Sequence, residues 1–256
     1  FNPLIVHVLD LAAAAAIASV SEPARRLAAR FWPGPLTMVL PRRADAAVAS
    51  LATAGLPTIA VRAAAHPVMR ALIAAAGRPL AAPSANASGR ISPTRAGHVL
   101  SSLDGRIPLI LDGGPTAHGL ESTIVAVEGD HLRLLRPGPI DAAALAEAAN
   151  LPLVEGDDGA IVAPGQLASH YAPAKPLRLN AVAPRPGEWL IGFGAVAGDQ
   201  SLSPAGDLLE AAARLFDMLY MADAAPGTAI AVAPVPEDGI GRAINDRLRR
   251  AAAPRP

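Results

Sequence analysis

TIAVRAAAHPVMRALIAAAGRPLAAPSANASG, residues 58–89, is the stretch that decides the fold. Thr58–Arg62 is a short, largely apolar run that reads as a strand. His66-Pro67 then opens a helix with Val68, Met69, Leu72, Ile73 and Ala76 on one face, and Gly77 ends it. Leu80–Ala82 is a second strand, which runs into a loop of small residues, Pro83–Gly89. Strand, helix and strand joined by short loops are the unit of an α/β sheet.

The same alternation extends in both directions. Upstream, the apolar run Leu4–Leu9 suits a buried strand, and Asp10 can N-cap an alanine-rich helix to Ala18. Ser21, with Pro23 behind it, starts a helix through Arg30. Phe31-Trp32-Pro33-Gly34-Pro35 must stop that helix, because neither proline can continue the hydrogen-bond ladder. Leu36–Leu40 is the next strand. Downstream, Ser92-Pro93 reads as the cap of a helix to about Leu103, and Pro108–Leu111, Ser122–Val127 and Leu132–Leu135 read as strands.

These elements make residues 1–150 one domain. Leu151–Pro176 holds four prolines and the pair Asp157-Asp158, with little periodicity, and reads as a linker. From Leu177 a smaller unit follows. It has strands at Glu188–Phe193 and Thr228–Ala233, a helix with Leu208, Leu209, Ala212, Leu215, Phe216 and Leu219 on one face, and a last helix from about Gly241 to Ala252. Residues 177–256 therefore read as a small doubly wound α/β domain.

Composition removes several classes of function. The chain has no cysteine, so it has no disulfide, thiolate nucleophile or Cys-ligated metal, which fits the cytoplasm. Its 22 basic and 22 acidic side chains cancel, which argues against a purely electrostatic nucleic-acid binder. Although 52% of residues are apolar, the charge-free stretches Ala46–Val61 and Gly159–Ala174 are broken by Gly and Pro. Neither supplies the ~20 apolar residues of a spanning helix. The chain opens Phe1-Asn2-Pro3-Leu4, without a basic leader segment, and reads as one that has lost its beginning.

Familiar catalytic signatures are missing. Lys175 is the only lysine, so no P-loop lysine exists, and no His/carboxylate cluster suggests a structural zinc. Gly192-Phe193-Gly194 lacks the third glycine of a dinucleotide turn. Neither a Ser-His-Asp order nor a carboxylate pair emerges. What remains is a set of hydroxyl-rich loops and isolated arginines. Pro83-Ser84-Ala85-Asn86-Ala87-Ser88-Gly89 and Gly113-Gly114 through Ser122-Thr123 can offer backbone N–H groups and neutral donors to an anion, or be ordinary turns. Arg62 and Arg136 each end a strand, where arginine meets a carboxylate or phosphate, or a structural ion pair. His7 on its apolar run and Trp32 read as core residues, and the bare pair His170-Tyr171 predicts nothing.

Taken together the segments are more specific. Asn2-Pro3-Leu4-Ile5-Val6-His7, Phe31-Trp32-Pro33-Gly34-Pro35-Leu36-Thr37, Thr58-Ile59-Ala60-Val61-Arg62, Ala82-Pro83-Ser84-Ala85-Asn86, Glu121-Ser122-Thr123-Ile124 and Leu135-Arg136-Pro137-Gly138 occur in one order. With Ser169-His170-Tyr171-Ala172-Pro173 and the tail Pro236–Leu248, this order resembles the long, two-domain branch of the YrdC-like threonylcarbamoyl-AMP synthases. The resemblance implies a twisted mixed sheet with helices, followed by the small α/β domain. It implies a nucleotidyltransferase that joins L-threonine, bicarbonate and ATP, with Mg2+, into threonylcarbamoyl-adenylate and pyrophosphate. The product would pass to a tRNA threonylcarbamoyl transferase.

Carried over residue by residue, the resemblance implies nucleotide contacts at Asn2, Thr58, Ser84, Asn86, Ser92, Arg136 and Tyr171. It implies threonine contacts at His7, Arg62, Ala82 (through its backbone) and Ser122, no catalytic nucleophile, and residues 151–176 as a lid. It also implies an upstream segment of about 60 residues, enough for a strand-helix-strand unit, which this chain lacks. Two alternatives stay open: an RNA-binding or ribosome-associated module of the same fold, and an inactive fragment of the enzyme. One lysine and 3% aromatics weigh against extended RNA contact.

Overall fold

A computed structural model describes residues 2–156, 163–165 and 169–254. Of the linker 151–176, residues 157–162 and 166–168, with the Asp157-Asp158 pair and Gln166, lie outside the described residues. The elements in chain order are β1 (Ile5–Val8), α1 (Leu11–Ala15), α2 (Glu22–Phe31), β2 (Leu36–Pro41), α3 (Ser50–Thr53), β3 (Thr58–Ala63) and α4 (Pro67–Ala76). They continue with β4 (Leu80–Ala82), α5 (Ala96–Leu103), β5 (Thr123–Glu128), β6 (His131–Arg136), α6 (Ala142–Ala149) and β7 (Leu153–Glu155). The C-terminal part holds β8 (Leu177–Arg178), β9 (Glu188–Gly192), β10 (Gln200–Ser201), α7 (Leu208–Ala224), β11 (Ala229–Val232) and α8 (Gly241–Ala252). The chain forms two compact units. One comprises Phe1–Pro83 and Glu121–Gln166, the other Ser84–Leu120 and Leu167–Pro256.

The first unit is built on a mixed seven-stranded sheet of order β4-β1-β3-β2-β5-β6-β7. Side chains alternate between its faces, and the alternation separates two environments. Val6, Val8, Met38, Leu40, Ile59, Val61 and Val125 point to one face and share a core with Ala14 of α1, Leu27 of α2 and Leu145 of α6. Asp10 caps α1, its carboxylate accepting from the Ala13 amide at 2.9 Å, and Asp141 does the same for α6 through Ala143. The opposite face carries Ile5, Val39, Ala60, Ile124 and Ala126, with Leu135 and Ala163 packed among them. Among the described residues no helix of this unit contributes to that cluster.

The turn 31–35 lies between the two. Trp32 Nε1 donates to the Leu36 carbonyl at 2.8 Å, and the Gly34 amide to the Ala63 carbonyl at 2.8 Å. A Cβ on Gly34 would sit 2.2 Å from the Phe31 carbonyl oxygen, so only glycine fits without moving the backbone. Gly34→Ala is expected to cost about 1–3 kcal/mol by overpacking, read as a lower urea midpoint at unchanged slope.

The second unit has an all-parallel sheet of order β10-β9-β11-β8. Ile191, Phe193, Ile230 and Val232 share one core with Leu215, Phe216 and Leu219 of α7 and Ile244 and Leu248 of α8. Ile91 and Tyr171 belong to that core too.

Three expectations are corrected. Pro108–Leu111 forms no strand; Leu109 and Leu111 are 69% and 54% exposed, and among the described residues no strand pairs with their backbone. The helix expected from Ser92-Pro93 begins at Ala96, because Thr94 and Arg95 are held by Asp217 and Arg95 keeps an extended backbone. The apolar face expected on α4 is mostly exposed, with Ile73 its buried member.

Candidate active site

On the face away from the helices, the rows that begin in the small apolar cluster end in polar groups. His7 follows Ile5 by two residues, Arg62 follows Ala60, Thr37 precedes Val39 and Ser122 precedes Ile124, so alternation points all four to the cluster's face. Arg136 pairs in register with Ile124 and joins them. β1 and β3 are parallel with His7 beside Arg62, β2 is antiparallel to β3, β5 parallel to β2 and β6 antiparallel to β5. Thus β1, β3 and β6 end at the rim where β2 and β5 begin. Four polar side chains from four strands, and Ser122 from the residue just before β5, converge there.

Their contacts fix them. Arg136, 3% exposed, donates from Nε (3.1 Å) and Nη2 (2.9 Å) to the Ser122 carbonyl, and from Nη2 to Ser122 Oγ at 3.2 Å. Its Nη1 donates to the Pro164 carbonyl at 3.4 Å, which ties residues 163–165 of the linker to this face. Thr37 Oγ1 and Ser122 Oγ share a hydrogen bond of 2.7 Å. Arg62 Nε donates to the Gly34 carbonyl at 3.1 Å, and among the described residues no carboxylate pairs with it.

The electrostatics follow from burial. Burial first, and the Arg136 guanidinium second, lower Arg62 to about 10. Burial first, and the Arg62 charge second, push His7 down to about 4, so its imidazole is neutral at pH 7. His7 Nδ1 and Asn2 Oδ1 are buried without a hydrogen-bond partner among the described residues. The Arg62 charge, made costly by burial and by the Arg136 guanidinium beside it, fits a bound anion that offsets it. A neutral imidazole nitrogen beside them can accept an N–H or O–H.

The remaining residues singled out in the sequence divide in two. Thr58 and Ala82 lie on the same face, Thr58 two residues before Ala60 and Ala82 in register with Ile5. They sit at the far end of the strands, Thr58 four residues before Arg62 along β3, or about 13 Å at ~3.3 Å per residue. Ser84, Asn86, Ser92 and Tyr171 belong to the second unit. Ser84 is exposed; Asn86 Nδ2 donates to the Arg90 (2.9 Å) and Ile91 (3.2 Å) carbonyls, leaving a buried Oδ1 without a partner. Tyr171 is 1% exposed, its ring 5.6 Å from that of Phe216 and 5.4 Å from the Arg247 guanidinium.

Thr37 is the polar residue of the rim that the sequence did not single out. Its signal is only its place two residues before an apolar residue of β2. A groove of about 490 Å³ between α2 and α6, lined by Arg26, Arg30 and Glu147, holds none of these residues.

Two family models match consecutive parts of the chain. The Sua5/YciO/YrdC model, described as telomere recombination, matches residues 1–138, and the model described as threonylcarbamoyl-AMP synthase, C-terminal domain, matches residues 140–253. The chain belongs to the Sua5/YrdC family. It is 38% identical to the threonylcarbamoyl-AMP synthase of Bacillus subtilis, over 99% of this chain and 80% of that protein. It is 36% identical to the synthase of Pyrococcus abyssi, over 98% and 80% of the two chains. The crystal structure of P. abyssi Sua5 complexed with L-threonine superposes with a TM-score of 0.87 at 35% identity, over 98% of this chain and 80% of that one. The mixed sheet followed by a smaller α/β domain is therefore the architecture of a Sua5 protein.

Proposed function

We propose that this chain forms threonylcarbamoyl-AMP and pyrophosphate from L-threonine, bicarbonate and ATP. The carrying observation is the rim of the first unit, where a half-buried Arg62 and a buried Arg136 lie beside a neutral His7. The reaction joins the threonine nitrogen to the bicarbonate carbon with loss of water. A carbamate oxygen then bonds to the α-phosphorus as the bond to pyrophosphate breaks. Each substrate carries an anionic carboxylate, carbonate or phosphate group, so the protein's contribution is to hold these groups together and exclude water.

Arg62 suits the threonine carboxylate through a two-pronged contact, with the neutral His7 accepting from its amino group and Ser122 and the Ala82 backbone completing that set. Asn2, Thr58, Ser84, Asn86, Ser92, Arg136 and Tyr171 are assigned to the nucleotide. The packing of Ala163 on the sheet face supports the linker as a cover. Among the described residues no three His, Asp or Glu side chains converge on a metal position. Magnesium is assigned to the reaction as the complex it forms with ATP. The product would serve a tRNA threonylcarbamoyl transferase; no helix among the described residues is long and apolar enough to cross a membrane.

Carbon-13 bicarbonate tests the reading. The account expects the label in threonylcarbamoyl-AMP, seen by mass spectrometry, only when threonine and ATP are both present. An unlabelled adenylate, or none, would overturn it. If the chain were instead an RNA-binding module, filter binding to tRNA would be tight and fall steeply with salt. Weak binding with a shallow salt slope is expected.

A further inference from the structure

The second unit contains a polar clamp that no step of the reaction requires. It lies on α7, in the half of the chain matched by the C-terminal family model, yet grips residues 91–98, which lie in the N-terminal one. Asp217, its carboxylate 14% exposed, accepts from the Thr94 hydroxyl on Oδ1 and from Arg95 on Oδ2, with Nε at 2.9 Å. Three residues on, and so on the same helix face, the Tyr220 ring stacks on His98 at 3.8 Å between centroids and 18° between planes. Tyr220 also donates its hydroxyl to the Ile91 carbonyl at 2.9 Å. His98 Nδ1 lies 3.3 Å from Thr94 Oγ1.

The other end of the excursion is tied to the same helix. Gly119 has φ +68°, and a Cβ there would meet the Ala212 carbonyl oxygen of α7 at 2.3 Å. The Thr116 amide closes the two ends through the Thr94 carbonyl at 3.0 Å. From the clamp a chain of hydrogen bonds runs toward the loop. Tyr220 holds the Ile91 carbonyl, and that carbonyl with its Arg90 neighbour accepts from Asn86 Nδ2. Asn86 is thereby oriented with its Oδ1 unpaired, and Ser92 sits between Ile91 and Thr94 at 5% exposure.

We infer that Asp217 is a positioning residue for the loop Ser84–Ser92, and that the C-terminal domain serves the reaction by holding this loop in the shape that meets the nucleotide. The inference rests on the assignment of Ser84, Asn86 and Ser92 to ATP made above. A packing contact alone would need only apolar groups; a carboxylate holding a hydroxyl and a guanidinium fixes one register.

The test uses the whole chain and two readouts. In Asp217→Ala, amide exchange across residues 84–98 is expected to accelerate about tenfold or more, as the loss of a charged hydrogen-bond acceptor implies. Exchange in β9 and β11 should stay as it was. The ATP KM should rise about tenfold while the threonine KM moves less than about twofold. Asp217→Asn, which keeps an acceptor for Thr94, should recover much of both effects. Unchanged exchange at 84–98, equal acceleration in β9 and β11, or an ATP KM unmoved despite a loosened loop would each overturn the positioning role. Ser92→Ala separates the two claims: if it leaves the ATP KM unchanged, the nucleotide assignment fails, and the exchange data still judge the clamp.

Discussion

Arg62→Ala is expected to raise the threonine KM ten- to a hundredfold while moving the ATP KM far less. The guanidinium is desolvated, its Nε donates to the Gly34 carbonyl, and among the described residues no carboxylate pairs with it. Removing a charged hydrogen-bond partner of a substrate carboxylate costs about 1.5–3 kcal/mol, which is that range of affinity. Arg62→Lys should recover little, because an ammonium cannot keep the Gly34 contact and the two-pronged geometry together. Arg136→Ala should show the opposite preference, raising the ATP KM more than the threonine KM. It should also lower stability, since the buried Ser122 carbonyl loses two of its donors. Initial-rate measurements with each substrate varied in turn separate these outcomes. Equal effects of both substitutions on both substrates would contradict the assignment.

The second large effect is a pH dependence of stability. His7 has a folded-state pKa of about 4 against an ordinary 6.5, chiefly because it is buried and secondarily because Arg62 is beside it. The unfolded chain therefore takes up this proton first as the pH falls. The stability that comes from keeping the imidazole neutral is whole above pH 6.5 and is lost on the way down to pH 4. Over that window the loss is about 3 kcal/mol. Urea unfolding at several pH values, on the native chain and on His7→Gln, isolates the contribution. The native chain should lose about 3 kcal/mol more than the variant between pH 6.5 and 4. Parallel pH curves would show that His7 is not held neutral by its site.

The elements that could be read from the chain are those whose signal is local. β1, β2, β3, β5 and β6 are short apolar runs set off by turn residues, and Asp10 and Gly77 sit where a helix must begin or end. α6 carries no such signal, because an alanine run with Leu145 as its one large apolar residue has no contrasting face. The start of α5 is set by a partner more than a hundred residues away, Asp217, which no local pattern reveals. Pro108–Leu111 is apolar enough for a strand, but strand formation also needs a free edge to pair with.

The site divides along the same line. Arg62, Arg136, His7 and Ser122 are each ambiguous alone, and only the register of five strands brings them to one rim. Alternation within each strand was visible; which strands are neighbours was not. Thr37 carries no charge and no motif of its own, so its hydrogen bond to Ser122 could be found only in the folded chain.

The central claim is that this rim binds the reacting anions together, so that ATP is cleaved only when threonine is present. Pyrophosphate release from the purified chain, with ATP and bicarbonate supplied and threonine added or withheld, tests it most directly. The account predicts release that requires threonine and is lost at the same threonine concentration in Arg62→Ala. Release that proceeds without threonine, or that Arg62→Ala leaves unchanged, would contradict it.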